Sequence, residues 1–116
     1  MNDRLILLDT QFHRRQSFNA IYSVAGAEPI PAHAGNAVDF IPDRLELHFE
    51  RLPDEPWELA GHYAIRLAGP QQLKSGVPGV RRVHRTWSAN HFDPESTTVP
   101  PYVNEALADV QQRLPA

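Results

Sequence analysis

In Arg44-Leu45-Glu46-Leu47-His48-Phe49-Glu50-Arg51 the side chains from Leu45 to Glu50 alternate, apolar at the odd positions and charged or polar at the even ones. A period of two sends successive side chains to opposite faces, which is the pattern of a half-buried strand. Trp57 to Ala68 continues it: Leu59, Gly61, Tyr63, Ile65 and Leu67 hold the odd positions, and Glu58, Ala60, His62, Ala64, Arg66 and Ala68 form a small, sparsely charged opposite face. A third segment, Val80 to Ser88, alternates badly, because Val83 and Trp87 share a face with Arg85 while Val80 shares its face with Arg82, His84 and Thr86. Such a break points to a bulge or to a strand that carries function. The three segments read as a meander of consecutive antiparallel strands.

Their connections differ in kind. Leu52-Pro53-Asp54-Glu55-Pro56 is a short acidic hairpin loop stiffened by proline. Gly69 to Gly79 contains Gly69-Pro70, Ser75-Gly76 and Pro78-Gly79 and reads as an eleven-residue loop, the kind of long connection on a rigid sheet where ligands are met.

Upstream, Gly26 to Pro42 carries Pro29, Pro31 and Pro42 with Gly26 and Gly35, so only a short strand at Ala37 to Ile41 fits. Phe18, Ala20, Tyr22 and Val24 suit a strand, and Phe18, Ile21, Tyr22 and Ala25 a helical stripe; the β-preferring residue types decide for strand. Leu5-Ile6-Leu7-Leu8 is a buried strand or a helical turn, and Phe12-His13-Arg14-Arg15-Gln16 a solvated basic turn. Downstream, Val103, Ala106, Leu107, Val110 and Leu114 recur at helical spacing, Pro101 suits a first turn, Glu105 lies early, Arg113 late, and Pro115 stops the helix. The expected class is therefore mainly β or α+β: an antiparallel sheet or sandwich built on a central meander, with one C-terminal amphipathic helix packed on it, in a single domain spanning 1–116.

Composition narrows the setting. The chain has no cysteine and a net charge of -3, so stability rests on packing, a reducing cytoplasm fits, and a globally basic nucleic-acid binder is disfavoured. No apolar run approaches the roughly 20 residues that cross a bilayer, and the N-terminus lacks a signal-peptide pattern. The expected protein is soluble and cytoplasmic. Ten arginines stand against one lysine, with abundant alanine and proline, which suggests a GC-rich bacterial genome and leaves the arginine bias without need of a functional cause.

No phosphate-binding glycine loop, nucleophile elbow, zinc-protease helix or EF-hand loop is present, and no cofactor is implied. His91 and Asp93, two apart, would point the same way from an extended backbone, and with His62 or His84 would reach the three ligands of an open metal site. The same His-x-Asp-Pro segment also suits an ordinary turn in which the aspartate accepts from nearby amides.

Charge asymmetry is the second constellation. Between Glu58 and Asp93 there is no acid, whereas Arg66, Lys74, Arg81, Arg82 and Arg85 give the interval +5, leaving -8 for the rest of a chain of net -3. A meander gathers Arg66, Arg82 and His84 near one face, with Lys74 in the loop and Trp87 as an apolar anchor. Either these arginines pair with Glu46, Glu50 and Glu58 as solvated ion pairs, or they meet an anionic partner. Arginine and tryptophan are the residue types that anchor protein interfaces, so the favoured reading is a non-enzymatic module that contacts a protein, or a second copy through a strand edge, by Arg66, Lys74, Arg81, Arg82, Arg85 and Trp87. Single-stranded nucleic acid is an alternative with few interleaved aromatics. A small-molecule pocket lined by Tyr63, Trp87 and Tyr102 and a His91/Asp93 enzyme complete the possibilities.

Overall fold

The computed structural model describes residues 15–32, 39–72 and 80–116. Leu5 to Leu8, most of the basic turn before Gln16, and the loop that holds Lys74 lie outside the described residues. The elements are β1 (Gln16–Ser23), β2 (Ile30–Pro31), β3 (Asp39–Phe40), β4 (Arg44–Arg51), β5 (Glu58–Leu59), β6 (Ile65–Gln72), β7 (Val80–Trp87) and α1 (Pro101–Gln111). The main sheet runs β1-β4-β6-β7 with every pairing antiparallel, β5 adds to β4, and β2 and β3 form a separate two-stranded ribbon.

β4 occupies the centre because its alternation is the strictest. Leu45, Leu47 and Phe49 are 1%, 0% and 2% exposed. Their partners Tyr22, Ala20 and Phe18 on β1, and Leu67 and Ile65 on β6, stand on the same face. Val103, Ala106 and Val110 of α1 close over this face and join one buried cluster with it. The helix is also tied down by polar contacts: Tyr22 donates to Asp109 Oδ2 at 2.7 Å, and Arg113 Nε donates to the same oxygen at 2.7 Å. These two donors hold the Asp109 carboxyl below its usual range, Arg113 contributing most. Burial and the aspartate push the Tyr22 phenol up. Arg113 lies beyond the last helical residue rather than in its last turn, so it acts through Asp109 more directly than through the helix dipole.

The second predicted strand is two strands. Trp57 to Ala68 breaks between Leu59 and Ile65, where Gly61 takes φ +92°, a conformation open to glycine that no strand residue adopts. β6 then runs through Gly69-Pro70, which by sequence reads as a turn. The chain allows this because β6 pairs with β4 only as far as Ala68, and beyond it has β7 alone as partner. Ala64 and Ala68 carbonyls accept from His48 and Asp43 amides on the β4 side, so Pro70, two residues on, turns its missing N–H to that unpaired side. β6 thus takes up Gly69 to Gln72 of the expected eleven-residue loop. β7 itself carries no bulge: its register runs unbroken from Ile65↔Trp87 to Gln72↔Val80.

Gly69 is fixed by close approach of backbone. A Cβ there would sit 2.1 Å from the Ile41 carbonyl oxygen and 2.9 Å from Pro42 Cα. Gly69→Ala is expected to cost about 3 kcal/mol or more, since backbone must shift. Gly26→Ala, at φ +67° with nothing within 4 Å of the new methyl, should cost only about 1 kcal/mol for the left-handed conformation. Urea unfolding of the two variants checks this, and equal costs would contradict the packing of residues 41 and 42 on β6.

Candidate functional site

β7 is the outer strand of the main sheet among the described residues, and its alternation now has a physical reading. Arg81, Val83, Arg85 and Trp87 are paired with Gln71, Gly69, Leu67 and Ile65 and so lie on the α1 side. Arg82, His84 and Thr86, paired with Pro70, Ala68 and Arg66, lie on the open side. The expected gathering of Arg66, Arg82 and His84 on one face is what the register produces.

Each cation has found a partner, but the partners differ. On the open side Arg82 meets Asp43 through two bonds, Nη2 to Oδ1 at 2.6 Å and Nη1 to Oδ2 at 3.0 Å. The fork holds the Asp43 carboxyl below its ordinary range and raises Arg82. Arg66 stands 4.0 Å from Glu46 and directs Nε and Nη2 at His84 Nδ1 and Nε2, at 3.1 and 2.8 Å. A neutral imidazole accepts through only one of those nitrogens. Burial, then the charge of Arg66, pushes the His84 pKa down, with Arg82 adding to this and Glu46 opposing it. On the α1 side the arginines have only neutral acceptors: Arg81 donates twice to Gln71 Oε1, at 3.1 and 2.9 Å, and Arg85 to the Pro31 carbonyl at 3.1 Å. Among the described residues neither has a carboxylate within ion-pair distance.

Trp87 is 8% exposed and belongs to the core, with the Arg85 guanidinium 5.4 Å from its ring centre. It is therefore a support for Arg85 and offers no exposed anchor. Tyr63, Trp87 and Tyr102 do not line one pocket. Tyr63 is 64% exposed and borders a cleft on the open sheet face. Tyr102, in the first turn of α1, buries its hydroxyl without a hydrogen-bond partner among the described residues, and burial raises its pKa. His91 and Asp93 each serve the local turn: Ser88 Oγ and His91 Nδ1 are 2.7 Å apart, and Asp93 Oδ1 accepts from the Glu95 amide at 3.0 Å. His84 is engaged by Arg66, and His62 lines the open-face cleft. Among the described residues no group of three histidine or carboxylate side chains is gathered as a metal site would require, and no helix is long and apolar enough to cross a membrane.

Sequence reasoning passed over the open face between β1 and the turn after β5. A cleft of about 440 Å³ opens there, bordered by Asn19, Ile21, His48, His62, Tyr63 and Arg66. His48 is fully engaged, Nδ1 with Asn19 Oδ1 and Nε2 with Glu50 at 3.0 Å. Ile21 is 63% exposed. The signal was its place in β1, where the even positions Phe18, Ala20 and Tyr22 face α1 and Ile21 must therefore face out.

The His84 arrangement predicts a pH dependence. Its folded pKa lies below the ordinary value of about 6.5, so between the two values the unfolded chain binds more protons than the folded one. The stability this contributes is complete above that ordinary value and is lost as pH falls below it. Wild type should lose more stability than His84→Asn between pH 7.5 and 5.5 in urea titrations; parallel losses would show that His84 is not held neutral by Arg66.

No protein-family model matches the chain, and no curated protein or solved structure is significantly similar to it.

Proposed function

We propose that the chain is a non-enzymatic binding module that contacts a protein partner through β7, with Arg81, Arg82 and Arg85 as the contact residues and Arg66 and His84 beside them. The observation that carries this reading is the pair Arg81 and Arg85: two guanidinium groups on the outer strand that, among the described residues, are met by an amide oxygen and a backbone carbonyl and by no carboxylate. A guanidinium held by neutral acceptors retains its full charge for an incoming carboxylate, and the exchange adds the attraction of an ion pair to the hydrogen bond. Arg82 differs, since Asp43 already neutralises it. Trp87 stiffens Arg85 from beneath, in place of the direct contact expected of it. A nucleic-acid partner draws less support, because base stacking needs several exposed rings, and here Trp87 is buried and Phe92 half-buried, which leaves Tyr63, beside Arg66, as the one exposed ring near this surface among the described residues.

The test is a photo-reactive amino acid placed at His84 and, as a control, at Glu105 on the exposed side of α1, with crosslinking carried out in cells. The expected result is a protein adduct at position 84, absent from 105 and abolished when Arg81→Ala and Arg85→Ala are added. An adduct that nuclease removes, or equal labelling at both positions, would overturn the reading.

A further inference from the structure

The backbone of β7 specifies the partner more closely, an inference that rests on the reading of β7 as a protein-binding strand. Because the Ala64 and Ala68 carbonyls point to β4, the odd-numbered residues Leu67, Gly69 and Gln71, alternating with them, turn their backbone groups to β7. In an antiparallel ladder their partners Arg85, Val83 and Arg81 reciprocate. The N–H and C=O groups of Arg82, His84 and Thr86 consequently point away from the sheet, in the direction where no strand follows among the described residues. This is a template for one more strand.

We infer that the occupant is an extended acidic segment of a partner protein, added antiparallel to β7, with carboxylates opposite Arg81 and Arg85 and a small apolar residue opposite Val83. The register sets the spacing. Arg81 and Arg85 are four residues apart on one face, about 13 Å along a strand, so the partner needs two acids separated by three residues. Residues opposite Arg81, Val83 and Arg85 would occupy non-hydrogen-bonded pairs, where facing side chains come closest. Each arginine then exchanges a neutral acceptor for a charged one.

Charge rules out the simplest competitor. A second copy pairing β7 on β7 about Val83 would set Arg81 against Arg85 twice, and like charges directly opposite are destabilising.

The probe is the capped peptide Thr-Asp-Thr-Val-Thr-Asp-Thr, titrated into the intact protein and followed by amide hydrogen exchange. Binding should slow exchange at Arg82, His84 and Thr86, whose amides face outward, and leave Arg81, Val83 and Arg85 as they were. Replacing both aspartates of the peptide by asparagine should weaken it about tenfold, the worth of two exposed ion pairs. The Arg81→Glu/Arg85→Glu protein should prefer the corresponding lysine peptide. Equal affinity for the aspartate and asparagine peptides, or binding that leaves the three outward amides unprotected, overturns the inference. So does self-association that the double charge reversal enhances. If position 84 crosslinks a protein while the aspartate peptide fails, β7 remains a contact surface and the acidic added strand is rejected.

Discussion

Leu45, Leu47 and Phe49 have to leave water on one side of β4, and that requirement sets the arrangement of the other strands. Removing each from solvent is worth about 2 kcal/mol or somewhat more, and a one-residue slip of register would exchange all three for Glu46, His48 and Glu50. β1 must therefore offer Phe18, Ala20 and Tyr22 to the same side, and β6 must offer Ile65 and Leu67. Helix α1 then has a single surface on which to lay Val103, Ala106 and Val110. The same parity forces the acids of β4 outward, together with the arginines and histidine that stand opposite them on the open face.

Charge is consequently graded across the sheet. Near the centre the charged groups stand beside opposite charges or imidazoles: Glu50 lies between His48 and Arg15, Arg66 between Glu46 and His84. At the entry to β4, Asp43 closes on Arg82. Exposed pairs of this kind contribute little to stability, about 1 kcal/mol at most; they settle which charges are left over. The remainder falls on the outer strand, where Arg81 and Arg85 meet no carboxylate among the described residues. Arginine at a sheet edge also discourages pairing between identical copies, the same feature on which the proposed acidic strand would rest.

Much of this was legible in the residues. The alternation from Leu45 to Glu50 gave β4 with its bounds, the helical spacing after Pro101 gave α1, and the β-preferring run at Phe18 to Val24 gave β1, because each pattern reports burial of one face directly. The break within Trp57 to Ala68 was not legible, since Gly61 keeps the alternation in register while its backbone leaves the strand. Nor was the course of β6 through Gly69-Pro70, because a glycine and a proline tolerate a strand only where a backbone approaches and where one edge is unpaired, and both conditions come from elsewhere in the fold. The grouping of Arg66, Arg82 and His84 followed from parity alone. What divides the arginines into neutralised and available ones depended on Asp43, Gln71 and Pro31, residues outside the basic interval or unremarkable in it. Trp87, read from composition as an anchor, is core because parity puts it beside Ile65.

The place of Pro70 completes the account of why one edge is singled out. Past Ala68 the sheet narrows to β6 and β7, and a two-stranded end ordinarily exposes two templates. On the inner side Pro70 has no N–H to offer where the next ladder bond would form, and Gly69 is pressed against Ile41 and Pro42. The outer side retains the paired donors and acceptors of Arg82, His84 and Thr86. Two residues that look like punctuation in the sequence thus close one edge of the ribbon, and the edge without a neighbouring strand among the described residues is the one that carries Arg81 and Arg85.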